Sequence, residues 1–389
     1  MKMQVNELYK NRFDKNPDKI YFSPGRVNII GGHTDYNGGA VLPFCINLGI
    51  YAAASPRNDN QVNIYSDNLP KKGIISFKLD NLKYHEQRGF ANYASGLFNE
   101  LKVRGHKLKK GFNLAMVGNL PRGGGLSSSA ALLLLISNVI NDFNNLGLTG
   151  TEMALISKNV ENNYIGVNCG IMDQFIIANG KTKKAIYLES NTLEYEYIPC
   201  EMNSHKFVLV NSNVTRKLTE SKYNVRYSET QEVLKILQEH VSIHHICDLK
   251  PEDYYKYEKY IHLTYLKRRF KHLVDEHARV KQAANALKSR DFVLLGNLLS
   301  LAHESARDLY EISSDKLDDL VLIAMKSGSL GSKMIGGGFG GSTLNLVKTD
   351  DLESFMTNFT KMYFEKYKTK PIINTVEVTS GTGEIQWLN

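Results

Sequence analysis

The stretch SPGRVNIIGGHTDYNGG, residues 23–39, sets Arg26, His33, Asp35, two asparagines and five glycines within seventeen positions. Glycines let backbone close on a ligand, while the side chains add a cation, an acid and fixed donors and acceptors, so the segment suits a rigid polar pocket. A second stretch, LPRGGGLSSSA (120–130), carries Gly123, Gly124 and Gly125 through Leu126 into Ser127, Ser128 and Ser129. An apolar run follows at once. Backbone N–H groups at a helix start, with the macrodipole behind them, attract anions, and hydroxyls reach phosphate oxygens or a cation. The loop therefore reads as a phosphate cradle, with a tight turn capped by serines as the purely structural alternative.

Two further glycine motifs are weaker. IGGGFGGS (335–342) matches G-x-G-x-x-G at Gly336, Gly338 and Gly341, but it follows a helical pattern and precedes a strand pattern, the reverse of dinucleotide-fold order. GKT at 180–182 lacks the glycine a Walker loop needs five positions earlier, where Phe175 stands. Four cysteines, Cys45, Cys169, Cys200 and Cys247, show no CxxC spacing, and HHIC at His244, His245 and Cys247 has no second ligand pair, so neither a disulfide framework nor a metal site is expected.

A net charge of +8 admits anionic partners, yet the clusters KLKK (107–110), KTKK (181–184) and KRRFKH (267–272) are scattered and form no recognisable nucleic-acid module. Solvated faces are the reading for most of them. No apolar run of membrane-spanning length and no secretory apolar stretch occurs, so a cytoplasmic protein without nucleic-acid or membrane partners is expected.

At 389 residues the chain should form two domains, with a boundary near residue 200. Residues 20–80 read as short alternating strands, 91–103 as a helix, and GFNLAMVGNL as a strand entering the serine loop. SSSAALLLLISNVINDF is apolar nearly all round and should be a buried helix. TEMALISKNVENNYIG reads as a helix with Thr151 as its N-cap. Beyond Pro199 come a strand, KFVLVNS, amphipathic stretches at 222–239 and 266–300, tyrosines 254, 255, 257, 260 and 265 assigned to helix core, and a helix, LDDLVLIAMKSG.

Taken in order, GRVNIIGGHTDYNGG, LPRGGGLSSSA, VENNYIGVNCGIMDQ (160–174), SKYNVR (221–226), HESARDLYEIS (303–313) and GSKMIGGGFGGS (331–342) resemble the GHMP kinases, and the first resembles their galactokinase branch. The resemblance spans nearly the whole chain. It implies an α+β fold of two lobes: a mixed-sheet N-terminal lobe (1–200) and a ferredoxin-like C-terminal lobe (201–389), with the active site in the cleft. It further implies an ATP- and Mg²⁺-dependent sugar 1-kinase acting as a monomer on a galactose-configured sugar.

By the same resemblance Asp173 is the catalytic acid residue with Arg26 beside it, and Glu161 and Ser129 are the magnesium ligands. Residues Gly123, Gly124, Gly125, Leu126, Ser127, Ser128 and Ser129 would form the phosphate loop, and Phe90 would replace a tryptophan often found near adenine. His33, Asp35, the backbone of Gly170, and Tyr223 would contact the sugar. Gly32 stands where the branch usually has a glutamate that accepts from the sugar's 6-hydroxyl. That departure leaves galactose and, second, galacturonate open, with Arg216, Lys217 and Lys222 as cations for a C6 carboxylate. A non-catalytic sugar sensor on this fold is disfavoured because Ser129-Ala130-Ala131 is intact.

Overall fold

The apolar run behind the serine loop can be satisfied only by protein on every side, and it becomes the central helix of the first lobe, with every residue from Ala130 to Ser137 buried, and Val139, Ile140 and Phe143 with them. The computed structural model describes residues 1–121, 123–213 and 219–386. In chain order α1 (Lys2–Phe13) leads to β1 (Lys19–Asn28), β2 (Ala40–Val41), β3 (Pro43–Pro56), β4 (Gln61–Ser66), β5 (Ile75–Lys78), α2 (Asn92–Val103) and β6 (Phe112–Gly118). The central helix is α3 (Ser128–Asn144), followed by α4 (Gly150–Asn159), α5 (Met172–Asn179), β7 (Lys184–Glu189), β8 (Tyr195–Pro199) and β9 (His205–Asn211). Next come α6 (Thr219–Gln238), α7 (Pro251–Tyr257), α8 (Thr264–Ser289), α9 (Phe292–Asp308) and α10 (Asp315–Lys326). The chain closes with β10 (Gly331–Ile335), β11 (Ser342–Lys348), α11 (Leu352–Tyr367), β12 (Ile372–Val376), β13 (Val378–Thr379) and β14 (Gly383–Glu384).

The first lobe is built on a mixed sheet in the order β14-β1-β3-β6-β4-β5, antiparallel except for β4 beside β6, with β13 added to β3. A small sheet, β2-β7-β8, lies alongside. The second lobe carries the antiparallel sheet β12-β9-β11-β10, the strand order of a ferredoxin-like βαββαβ unit in which the long α6–α10 segment is the first crossover and α11 the second. The expected boundary near residue 200 falls between β8 and β9, but β13 and β14 return to the first sheet, against Ile46 and Cys45 of β3 and Tyr21 and Phe22 of β1. One apolar cluster bridges both lobes: Val27, Leu42, Phe44 and Leu126 from the first meet Phe207, Val280, Leu299 and Leu344 from the second.

Four local expectations are corrected. The N-cap of α4 is Thr149, not Thr151: its side chain accepts from Glu152 N–H while Glu152 bonds back to Thr149 N–H, and the reciprocal pair outweighs a cap two residues later. The stretch 266–300 is two helices, because Arg290 takes a left-handed conformation (φ 57°) and Asp291 caps α9 through Leu294 N–H. KRRFKH is not a solvated face throughout, since Arg269 and His272 are buried, Arg269 pairing with Glu229 and Glu311. Of the five tyrosines, Tyr257 is buried and Tyr254, Tyr260 and Tyr265 pack at the core's edge, whereas Tyr255 is 69% exposed.

The strand that brings β10 to the cleft lies hard against α9. A Cβ on Gly331 would sit 2.0 Å from the Gly296 carbonyl oxygen, so neither backbone can retreat without moving a helix or a sheet. Gly331→Ala is expected to destabilise the protein by about 1–3 kcal/mol through this overpacking. An unchanged thermal midpoint would show that the contact is not tight.

Candidate active site

The cleft is organised by β1 and the loop after it. A register shift between Pro24 and Arg26 re-aims the strand, and Arg26, almost wholly buried, turns into the cleft. Its guanidinium forks onto Asp173 at the start of α5, Nε to Oδ1 at 2.6 Å and Nη2 to Oδ2 at 2.8 Å, while Nη1 donates to the Gly125 carbonyl at 2.6 Å. Ser127 Oγ–H also donates to Asp173 Oδ2. The cation, the carboxylate and the glycine loop thus form one unit.

Gly123, Gly125 and Ser127 all have left-handed backbone (φ 67°, 75° and 59°), which turns the loop onto the N-terminus of α3. Leu126 contributes backbone only, its side chain being sunk into the apolar cluster between the lobes. Ser128 is exposed and Ser129 faces the cleft. The second glycine motif braces the first: Ser342 Oγ–H donates to Gly124 O at 2.9 Å, and Gly336 lies against Gly125. Glu161 is buried in a turn after α4 and accepts from Gln174 Nε2 at 2.7 Å. Burial raises its pKa, and a hydrogen bond from Ser129 works against that rise.

The polar loop after β1 is held by its own bonds. Gly31 has φ 101° and a Cβ there would lie 2.8 Å from the Ala40 carbonyl oxygen, so glycine is required; Thr34 Oγ1–H meanwhile donates to that oxygen at 2.7 Å. His33, also left-handed at φ 64°, packs among Tyr36, Tyr223 and Tyr310. Burial lowers its pKa to about 3, so the ring is neutral; Nδ1 pairs with Tyr36 OH at 2.7 Å and, among the described residues, buried Nε2 has no partner. Loss of solvent and the nearby Asp173 push the Asp35 carboxyl up to about 6. A Cβ on Gly170 would fall 1.8 Å from Asp35 Oδ2, so that chain segment can pass only as glycine.

These groups line a single cavity of about 260 Å³, with Arg26, Gly32, His33, Asp35, Ser127, Ser129, Glu161, Gly170, Asp173 and Tyr223 all on its walls. Phe90 does not line it; it is half-buried against the first lobe's core in the turn before α2. Arg216 and Lys217 lie outside the described residues, and Lys222 is exposed near the Phe339 ring. His245 of HHIC packs on Gly38, and no cluster of three or more His, Cys, Asp or Glu side chains suited to a metal occurs among the described residues. The sequence reading missed His272, Glu276 and Lys333, which also face the cavity. The i, i+4 spacing of His272 and Glu276 on α8 was the available signal.

Three family models match the chain: the galactokinase galactose-binding signature at residues 7–56, the GHMP kinase N-terminal domain at 92–181 and the GHMP kinase C-terminal domain at 283–363. Fold and cleft are accordingly those of a GHMP kinase. The chain is 42% identical to a galactokinase of Clostridium perfringens (strain 13 / Type A) over 365 residues, 93% of this chain and 94% of that one. It is 38% identical to a galactokinase of Staphylococcus carnosus over 387 residues, 99% of this chain and all of that one. The crystal structure of Lactococcus lactis galactokinase complexed with galactose superposes with a TM-score of 0.95 at 38% identity, covering 98% of this chain and 99% of that one. Mevalonate kinase of Methanococcus jannaschii shares the fold at 20% identity, with a TM-score of 0.65 over 93% of this chain and 98% of that one. The chain belongs to the galactokinase family.

Gly170→Ala is expected to drive the Asp35 carboxyl out of its place and to return its titration from about 6 toward the ordinary carboxylate range. Side-chain carboxyl NMR across pH reads this directly. A titration left unchanged would mean that the two segments can part without cost.

Proposed function

We propose that the protein transfers the γ-phosphate of ATP to the anomeric hydroxyl of galactose, giving galactose 1-phosphate. The observation that carries this reading is the Asp173 carboxylate, gripped from behind by Arg26 and Ser127 yet 28% exposed toward the cleft, beside the glycine loop at the start of α3. Such an acid accepts the proton of a hydroxyl, or orients it, while a helix N-terminus receives phosphate oxygens.

The donor set fits Mg²⁺. Glu161 and Ser129 offer hard oxygen ligands on one wall, and an ion that keeps several waters and shares the phosphates needs few protein ligands. When bound, the ion neutralises charge on the transferring phosphoryl group. Glu161 and Ser129 would hold it, the loop from Gly123 to Ser129 would position the phosphates, and Phe90 would lie near adenine.

At the sugar end, neutral His33 presents a buried nitrogen with no protein partner among the described residues, a place a sugar hydroxyl can fill. Asp35, the Gly170 backbone and Tyr223 complete that wall. Galactose is preferred to galacturonate because the full-length relatives carry the name galactokinase and the superposing structure is a galactose complex. Among the described residues no helix is long and apolar enough to cross a membrane, and the proposed working unit is a monomer in the cytoplasm.

Asp173→Asn should leave galactose and ATP affinities within a few-fold of wild type and lower kcat by ~10² or more. Calorimetry and steady-state kinetics test this together, and near-normal turnover would remove Asp173 from the reaction.

Asp35 must be ionised to accept from a sugar hydroxyl. Because burial holds its carboxyl near 6, the active form is lost as pH falls through that value. The profile of kcat/KM for galactose should thus be level above about pH 7 and decline toward tenfold per unit below about 6. Asp35→Asn should lower the plateau and abolish this limb; a limb that persists in the variant belongs to another group.

A further inference from the structure

A chain of hydrogen bonds runs from the core of the second lobe into the cavity. Tyr310 OH and Tyr36 OH lie 2.9 Å apart, and Tyr36 OH lies 2.7 Å from His33 Nδ1. The other nitrogen of that ring, Nε2, is buried with no partner among the described residues, and His33 lines the cavity. Burial keeps the imidazole neutral, so it carries a proton on only one of its nitrogens. Three groups thus share two hydrogen bonds and three protons, and one proton is left over at an end of the chain.

The two ends are not equivalent. If Nδ1 held the proton, it would donate to Tyr36 and Tyr36 to Tyr310, and the Tyr310 hydroxyl proton would need a further acceptor. Tyr310 is fully buried, and among the described residues its hydroxyl has no partner except Tyr36. Its turn is pinned from behind: Arg226 Nε donates to the Tyr310 carbonyl at 2.7 Å, Arg226 Nη2 to the Glu311 carbonyl at 3.0 Å and Arg269 Nη1 to the Leu309 carbonyl at 2.5 Å, so the hydroxyl cannot swing elsewhere. The adjacent His272 ring has both nitrogens taken, by Ser305 Oγ and Gly32 O. A proton left at Tyr310 would therefore be an unmet donor sealed in the core, which is costly. If Tyr310 donates to Tyr36 and Tyr36 to Nδ1, the proton left over sits on Nε2 at the cavity, where a ligand can meet it. The Gly337 backbone, also on the cavity wall, favours a proton on the ring in the same sense.

We propose that Tyr310, acting through Tyr36, holds His33 as its Nε2–H tautomer, so that His33 is a hydrogen-bond donor to the cavity and the ligand atom it meets is an acceptor. Tyr310 is a positioning residue: it does not line the cavity, and it fixes from the second lobe which nitrogen of a first-lobe ring is protonated. The ligand side of the inference rests on the galactose reading above. A sugar hydroxyl that accepts from Nε2–H turns its own proton elsewhere, and Asp35 on the same cavity is a carboxylate able to take it.

Nitrogen NMR of protein carrying isotope-labelled histidine tests this, with the His33 signals identified by their loss in His33→Gln. The ligand-free wild type at neutral pH should show a protonated Nε2 and a bare Nδ1, the preferred tautomer leading by about tenfold or more, the scale of one unmet hydrogen bond. A proton on Nδ1 overturns the proposal, and this arm needs no variant of the relay.

Tyr310→Phe removes the donor that occupies the Tyr36 oxygen and frees that oxygen to accept from Nδ1–H. The two tautomers should then come within a few-fold of each other, and saturating galactose should draw the ring back to Nε2–H, because an acceptor binds only that form well. A variant that keeps the wild-type ratio overturns the role of Tyr310, and galactose that instead favours Nδ1–H overturns the donor role of His33. A wild type that neither binds nor phosphorylates galactose would overturn the galactose reading and the sugar acceptor with it, whereas galactose turnover with the proton on Nδ1 would overturn this inference alone.

Discussion

Everything in the cleft depends on how Arg26 is neutralised. A guanidinium almost wholly buried is costly unless its donors are matched, and here Nε and Nη2 take both oxygens of Asp173 while Nη1 takes the Gly125 carbonyl. Those three partners tie β1, the glycine loop and α5 to one another. The carboxylate proposed for proton handling and the loop proposed for phosphate are therefore set in the folded protein before any ligand arrives, as electrostatic preorganisation requires. The bulge at Pro24–Arg26 belongs to the same unit, because without the register shift Arg26 would not be turned from strand β1 to this corner.

The loop after β1 is tied to the second lobe by rings as well as by the Glu276 carboxylate, which accepts from Gly31 and Gly32 N–H. Tyr310, fully buried beyond the end of α9, meets Tyr36 OH at 2.9 Å, and Tyr36 meets His33 Nδ1 at 2.7 Å. His272 from α8 packs at a tilt against the Tyr310 ring, 4.4 Å between centroids, and donates to Gly32 O. A neutral His33 suits this nest, since burial first, and then the nearby Arg226, oppose a positive charge on the ring. The left-handed backbone at His33 is held by Asn37 Nδ2 donating to its carbonyl at 2.8 Å, so the strain sits where the ring must point into the cleft.

Much of this was legible in the sequence where local chemistry decides the outcome. The all-round apolar helix α3, the serine loop before it and the polar loop around His33 and Asp35 are written in contiguous residues, and the structure places them on one cavity. The parts that were not legible depend on long-range partners. KRRFKH looks like a solvated run, and nothing in it announces that Arg269 will be buried against Glu229 and Glu311, residues 40 and 42 positions away. The break at Arg290–Asp291 carries no glycine or proline, only a capping aspartate inside an amphipathic pattern that continues on both sides. The return of β13 and β14 to the first sheet is decided by edges left open on β3 and β1, which no periodicity reveals.

The doublet Gly31–Gly32 shows why residue type alone understates a site. Gly31 answers to backbone geometry, and any side chain there would strike the Ala40 carbonyl. Gly32 answers to neither constraint: its backbone N–H and that of Gly31 share one oxygen of the Glu276 carboxylate, while Arg279 takes the other. A buried polar group unmatched by protein is expensive, and proteins retain such groups where a ligand completes them. The wall behind Gly32 is in that condition at one atom: Glu276 is matched by protein on both oxygens, while Arg279 Nη2 is buried with no partner among the described residues.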